Sequence, residues 1–377
     1  MTSDQKFMQR AIMLAKRAAG RTSPNPLVGC VIVKSGKVVG EGWHKACGGD
    51  HAEVDALKKA GAKARGAVLY VTLEPCSHWG RTPPCVDAVL AAGIRKVVVA
   101  MQDPNPLVNG RSIRKMRSRG LEVVTGVCTA QARDMNLAFI KYILKKMPYV
   151  VAKIAQTMDG KAGIRCGQVP WITASATRTW AKAKRREFDA IVIGVNTVIS
   201  DDPELNAPGK AIVKVVVDAD LRTPLNARLF NCGDTYEIKK QFRTCPRNSQ
   251  QVIIATTRKA SPAKIVAFKK QGARVILCGE KAGGVDLKAL FKELAKNGLI
   301  RILIEGGPTL VDATLKAGLV DRMQVYIAPK VMSGVRPGDM IAGFDMEALA
   351  DAKKFKIVDV DRIGRDIFME VACSQVS

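Results

Sequence analysis

His51-Ala52-Glu53, Pro75-Cys76 and Cys85 place one imidazole, two thiols and one acid in a short stretch of chain. An imidazole and two thiolates form a zinc donor set that leaves a fourth position open for water, and zinc in such a site lowers that water's pKa to about 7. The chemistry indicated is hydrolytic deamination at neutral pH. Glu53 follows the imidazole by two residues, a spacing at which side chains on a helix diverge, so the acid is read as a proton shuttle and not as a ligand.

His-x-Glu followed by Pro-Cys-x-x-Cys is a zinc deaminase pattern. Here the second thiol is displaced, because Cys76-Ser-His-Trp-Gly-Arg-Thr-Pro-Pro-Cys85 puts eight residues between the sulfurs. A loop rich in Gly and Pro can still fold back onto one ion. The alternative, two ordinary buried thiols and a surface imidazole, requires the acid, the prolines and the ligand order to coincide.

Regular elements must position these groups. Phe7, Ala11, Ile12, Leu14, Ala15 and Ala18 mark an amphipathic helix, and Val28 to Val33 with Val38-Val39 form a hairpin around Ser35-Gly36. The stretch His51 to Lys59 is predicted helical with Asp50 as N-cap, which sets His51 and Glu53 on the first turn. Val68 to Thr72 is a strand that delivers Glu74-Pro75-Cys76 at its end, and Cys85 to Ala92 opens the next helix. With further strands at Val97 to Ala100 and Leu121 to Thr125, the expected fold is a three-layer α/β sandwich with its site at strand ends and helix starts.

A helix from Gln131 to Lys145 is expected to end at Met147-Pro148, where the domain boundary falls: residues 1–147 form one domain and 148–377 another. The second α/β series runs through strands at Tyr149 to Ile154, Ala190 to Val195, Ile212 to Val217, Val252 to Ala255, Val275 to Leu277, Ile300 to Ile304 and Met323 to Ile327. The polar stretch Asn231 to Gln250, with Cys232 and Cys245, reads as a surface insertion without a catalytic part.

A chain of 377 residues exceeds one typical core, in keeping with two domains. No apolar run approaches the roughly 18 residues of a membrane span. The start Met-Thr-Ser-Asp-Gln-Lys lacks the apolar core of a signal peptide, so a cytoplasmic protein is expected. Ten cysteines in a chain this long fit reduced thiols better than a disulfide framework. The three histidines, His44, His51 and His78, all lie in the first domain, so the second must work without imidazole.

Sixty basic against 34 acidic residues give a net charge of +26, which raises the question of nucleic acid. The clusters are short, and only 5% of the chain is aromatic, too little for stacking platforms. The field suits phosphorylated small molecules, and no nucleic-acid partner is expected. In the second domain, Glu305-Gly306-Gly307-Pro308-Thr309-Leu310 follows a strand and opens a helix, a turn that can present N–H groups to a phosphate or can be purely structural. No G-x-G-x-x-G precedes it, so a dinucleotide would need another fold.

Taken together, the motifs resemble the bifunctional riboflavin-biosynthesis family, a pyrimidine deaminase fused to a reductase. The resemblance rests on Ser23-Pro-Asn-Pro-Leu-Val-Gly29, His51-Ala-Glu53, Glu74-Pro-Cys-Ser-His78, Gly80-Arg-Thr-Pro-Pro-Cys85 and Asp103-Pro-Asn-Pro106. In the second half it rests on Lys153, Met158-Asp-Gly160, Trp171-Ile-Thr173, Asp201-Asp-Pro203, Glu305-Gly-Gly-Pro-Thr309, Gly318-Leu-Val-Asp321 and Ala328-Pro-Lys330. It implies an α/β chain with an N-terminal three-layer cytidine-deaminase-like domain and a C-terminal dihydrofolate-reductase-like domain that uses NADPH. It implies Zn2+ on His51, Cys76 and Cys85, with Glu53 as proton donor and acceptor. The implied substrate is a phosphorylated pyrimidine ribotide that loses its 2-amino group and then has its ribose reduced to a ribityl chain; a homo-oligomer is also expected.

Carried over by position, Ala155, Trp171, Thr197, Asp201, Gly307, Pro308, Thr309, Leu310, Val311, Asp312 and Ala313 resemble the family's cofactor contacts, and Arg185, Leu205 and Glu305 its ribotide contacts. The chain departs from the pattern at Val169-Pro170, at Ala219, and at Asn206-Ala207-Pro208, where a phosphate-gripping arginine is expected. Lys210 is the residue proposed to take that arginine's place, as a point charge without the bidentate fork. Two rival readings are a nucleic-acid-editing deaminase and a deaminase whose second half is an inactive oligomerising domain.

Overall fold

The computed structural model describes residues 1–79, 83–162, 171–231, 252–332 and 353–373. The loop residues Gly80-Arg81-Thr82, the departure at Val169-Pro170 and the expected insertion beyond Asn231 lie outside the described residues. The chain divides into two compact units, Met1–Met147 and Pro148–Ser377.

In the first unit, β1 (Gly29–Lys34) and β2 (Lys37–Trp43) form a hairpin. Its turn residues Ser35 and Gly36 both have positive φ, 48° and 74°, the twist that closes a tight hairpin. β3 (Val68–Val71) joins β1 antiparallel, and β4 (Lys96–Val99) and β5 (Glu122–Thr125) follow in parallel, in the order β2-β1-β3-β4-β5.

Strand periodicity sorts the core into two faces. Cys30, Ile32, Leu69, Val71, Val97 and Val99 pack with α2 (Ala52–Ala60), α3 (Cys85–Ala91) and α4 (Arg111–Ser118). Their strand neighbours Val31, Val33, Tyr70 and Val98 face α1 (Ser3–Lys16), α5 (Thr129–Met135) and α6 (Leu137–Lys145). The result is helix, sheet, helix in three layers.

Two local expectations are corrected. The single helix from Gln131 to Lys145 is broken at buried Asn136, whose side chain pairs with both backbone groups of Leu27, accepting from its N–H at 2.8 Å and donating to its carbonyl at 3.0 Å. Satisfying that buried peptide outweighs continuing the helix. The N-cap of α2 is His51, not Asp50, and no side chain caps it; the Asp50 carboxylate instead pairs with Lys58 at 2.6 Å.

Among the described residues, the second unit is built on a nine-stranded sheet. In chain order its strands are β6 (Tyr149–Thr157), β7 (Ala190–Gly194), β8 (Val213–Val217), β9 (Val252–Thr257), β10 (Arg274–Cys278), β13 (Arg301–Ile304), β14 (Arg322–Ala328), β15 (Phe355–Ile363) and β16 (Asp366–Cys373), with β11 (Glu280–Lys281) and β12 (Gly284–Val285) forming a separate ribbon. The spatial order is β10-β9-β8-β7-β13-β6-β14-β16-β15, parallel as far as β14 and antiparallel at the β14-β16-β15 end. The helices described are α7 (Ser175–Lys184), α8 (Val195–Asp201), α9 (Pro262–Lys270), α10 (Leu287–Lys296) and α11 (Pro308–Lys316). Among the described residues, no helix is long and apolar enough to cross a membrane.

The β15-β16 hairpin was absent from the sequence-based strand assignment. Ile357 and Val360 are 60% and 57% exposed, so β15 buries no alternating apolar face that a periodicity reading could find.

Candidate active site

His51 stands at the N-cap of α2 with extended backbone, Cys76 follows β3, and Cys85 is the first residue of α3. The Nδ1 of His51 is 3.0 Å from the Cys85 sulfur and 3.6 Å from the Cys76 sulfur, and the three donor atoms all lie within 4.8 Å of one another. Zinc bonds of about 2.0 Å to nitrogen and 2.3 Å to sulfur give tetrahedral edges of about 3.5–3.8 Å, so this donor set fits the ion with little adjustment. The N–H of Cys85 donates to the Cys76 sulfur at 3.3 Å, and the Cys76 thiol is held below the ordinary thiol range, first by the Cys85 side chain and further by His51 and the Cys85 N–H.

Glu53 lies on the first turn of α2 and is 3% exposed. Burial pushes its carboxyl up to about 7. The divergence expected of two residues on one helix does not apply, because His51 is outside the helix; the Glu53 carboxyl feels the charges of Cys76 and His51. Both groups depend on how close α2 lies to β2, where Gly40 and Gly42 admit the backbone of Ala52 and Ala56.

His44 and Asn25, the latter within Ser23-Pro-Asn-Pro-Leu-Val-Gly29, support the site in a way that residue type and spacing alone do not reveal. The Asn25 amide donates to His44 Nε2 at 3.1 Å, so Nδ1 carries the proton and donates to the Asp50 carbonyl at 3.1 Å. Burial keeps His44 below the usual histidine range, consistent with the neutral ring. Its ring meets His51 edge to face at 5.5 Å, steadying the residue before the ligand and the ligand itself.

In the second unit, β7, β13 and β6 are neighbours, and their carboxyl ends bring together Thr197 on α8, the loop Glu305-Gly306-Gly307, and Ala155 on β6. The Gly307 N–H donates to Thr197 Oγ1 at 3.1 Å, and Pro308 takes the first position of α11. Arg185 grips Glu305 with two parallel bonds, Nε to Oε1 at 2.7 Å and Nη2 to Oε2 at 2.8 Å, and its Nη1 donates to the Asn206 carbonyl at 2.9 Å. Burial opposes the charge on Glu305, but Arg185 and Lys153 outweigh it and hold the carboxyl below its ordinary value.

The remaining residues of the expected set are placed less uniformly. Leu205, Leu310, Val311 and Asp312 are buried; Thr309 and Ala313 are exposed on α11. Trp171 is exposed, with Arg178 stacked over its ring at 4.7 Å and its carbonyl accepting from Lys330 at 2.9 Å. Asp201 ends α8 in solvent, accepting from Ser200.

Lys210 is held by the main chain around Arg186 and Phe188. Its Nζ donates to the Arg186 carbonyl at 3.1 Å and also to the Phe188 carbonyl, and burial pushes it below the ordinary lysine range. Two of its three ammonium donors are thereby taken up by main-chain carbonyls.

Comparison with known proteins covers both units. Residues 1–101 match the family described as "Cytidine and deoxycytidylate deaminase zinc-binding region", and residues 148–369 match "RibD C-terminal domain". The chain is 40% identical over 369 residues to "Riboflavin biosynthesis protein RibD" of Aquifex aeolicus, covering 97% of each. It is 38% identical over 386 residues to the protein of that name from Escherichia coli, covering 98% of this chain and 99% of the other. Among solved structures, Acinetobacter baumannii RibD superposes with a TM-score of 0.86 at 36% identity, covering 99% of each chain. A deaminase/reductase from Thermotoga maritima gives 0.82 at 31%, covering 98% of this chain and 99% of that one.

Proposed function

Because the chain belongs to the RibD family of bifunctional riboflavin-biosynthesis enzymes, we propose how its residues divide a deaminase and a reductase between the two units. The first unit has the cytidine-deaminase fold and the second the dihydrofolate-reductase-like fold of the RibD C-terminal domain. We assign residues 1–147 to zinc-dependent deamination and 148–377 to NADPH-dependent reduction. The observation that carries the first assignment is the convergence of His51, Cys76 and Cys85 beside the buried carboxyl of Glu53.

The substrate is 2,5-diamino-6-(5-phosphoribosylamino)pyrimidin-4-one. Zinc held by His51, Cys76 and Cys85 would supply the Lewis acidity that makes water nucleophilic at neutral pH. As the C–O bond to the ring carbon C2 forms, Glu53 takes a proton from the water and passes it to the adjacent ring nitrogen. It then carries the remaining hydroxyl proton to the amino nitrogen as the C–N bond breaks, leaving a ring carbonyl and ammonia. A carboxyl whose pKa is about 7 can serve in both directions. His44, fixed as the Nδ1–H tautomer, holds the Asp50 carbonyl and so the approach of His51.

In the second unit, NADPH would supply a hydride to C1′ of the ribose. The C1′ bond to the ring oxygen opens, a proton goes to that oxygen, and a ribityl chain results. Thr197, Ala155, Trp171, Asp201 and Gly307 to Ala313 are assigned to the cofactor, and Arg185, Leu205 and Glu305 to the ribotide; the adjacency of β7, β13 and β6 supports the grouping. We place the enzyme in the cytoplasm, where the thiols of Cys30, Cys76, Cys85, Cys128 and Cys278 would stay reduced, and expect a homo-oligomer.

Supplying the diaminopyrimidine ribotide with and without NADPH tests both halves. Ammonia release without reductant, followed by NADPH oxidation once it is added, is the expected result; ammonia release that requires NADPH would contradict the division of labour.

A further inference from the structure

Glu74 is an acid that the deamination chemistry leaves unused; it is 2% exposed, and its carboxylate oxygens accept from N–H and O–H donors although the buried acid Asp103 lies nearby. It sits on the segment leaving β3, and its N–H continues the ladder to the Met101 carbonyl at 3.0 Å. Pro75, next in line, has no N–H to extend that ladder, so the chain is released toward Cys76.

The Glu74 carboxylate then takes over as the anchor. Oε2 accepts from the N–H of Gly110 at 2.8 Å and of Asp103 at 3.3 Å. Oε1 accepts from the N–H of Ser112 at 3.1 Å and of Ile113 at 3.3 Å, and from the Ser112 hydroxyl at 2.7 Å. Gly110, Ser112 and Ile113 form the start of α4, where main-chain donors are unpaired and the helix dipole favours a negative charge. The Ser112 hydroxyl also lies 2.5 Å from the Pro75 carbonyl, the peptide that leads directly into Cys76.

One carboxylate therefore ties together the strand exit that bears a metal ligand, the first turn of α4 and the loop from Asp103 to Gly110. Cys76 is also tied to α3: its carbonyl accepts from the Val86 N–H at 3.2 Å and its sulfur from the Cys85 N–H at 3.3 Å. Glu74 adds a tie from the residues before Cys76 to α4.

Resting on the zinc reading above, we propose that Glu74 is a positioning residue for the metal centre, setting the place of the Cys76 sulfur through α4 and Ser112. An amide cannot replace it, because either orientation of a glutamine turns its NH2 toward two or three N–H or O–H donors. Groups that orient metal ligands from behind are worth about 10- to 100-fold in metal affinity.

The test measures Co2+ and Zn2+ affinity of the full chain by chelator competition, together with the visible Co2+ spectrum, for wild type, Glu74→Gln and Ser112→Ala. Wild type is expected to bind one ion tetrahedrally. Glu74→Gln should bind about 10- to 100-fold more weakly, with altered Co2+ bands, and excess Zn2+ should restore its deamination. Ser112→Ala, which keeps every main-chain donor and the carboxylate, should show a smaller loss in the same direction, and it carries the test if Glu74→Gln does not fold. Wild-type affinity and spectrum in the variants would overturn the positioning role alone; a wild-type chain that takes up no ion would overturn the zinc reading and this inference with it.

Discussion

The carbonyl oxygen of Ala52 stands where a Cβ on Gly42 would have to be, and the same Cβ would meet the Asp55 carbonyl carbon at 3.0 Å. Helix α2 is thus seated on β2 backbone to backbone, and the seat sets the depth of both His51 and Glu53.

Gly42→Ala should push α2 off the hairpin. Overpacking of this kind costs about 1–3 kcal/mol. The expected outcome is a lower urea midpoint for the first unit together with weaker zinc retention; unchanged stability and metal content would show that α2 has room to shift.

Glu53→Gln keeps the shape of the side chain but removes the proton carrier. Ammonia release should fall about 10²- to 10⁴-fold while bound zinc is retained. Metal analysis alongside the rate separates this outcome from loss of the site, and a variant that deaminates at the wild-type rate would remove Glu53 from the chemistry.

The Arg185–Glu305 pair predicts a pH-dependent stability difference. Glu305 is held below its ordinary value, so its stabilisation is present above the unfolded carboxyl pKa and is lost as pH falls through the lowered native value. Glu305→Gln should cost about 3–5 kcal/mol at pH 7, because Arg185 is left half-buried without its partner. In urea titrations that cost should shrink toward acid pH. A pH-independent difference would contradict the pairing.

Lys210→Ala should leave the ribotide KM unchanged, since the ammonium is engaged by the carbonyls of Arg186 and Phe188. It should instead lower stability by about 1–3 kcal/mol, through two main-chain acceptors left unmet. A raised KM with normal stability would return Lys210 to the substrate.

What could be read from the sequence follows from how strictly physics limits residue choice. Metal ligation admits few side chains, so His51, Cys76 and Cys85 were identifiable from type and order, and the structure brings them together. The first sheet was legible because β1 alternates Cys30 and Ile32 on one face with Val31 and Val33 on the other. The break at Asn136 was hidden because its cause, the backbone of Leu27, is remote in sequence. The β15-β16 hairpin carried no buried stripe on β15 to reveal it. Lys210 shows a further limit: a charge is visible in sequence, but the direction in which it points is not.

Removing and restoring the metal addresses the central claim most directly. The purified chain should carry one zinc ion, lose ammonia release when a chelator strips it, and regain release when Zn2+ is returned, with His51→Ala failing to recover. A chain that holds no zinc and stays inert after Zn2+ is supplied, or one that deaminates equally well when stripped, would contradict the account.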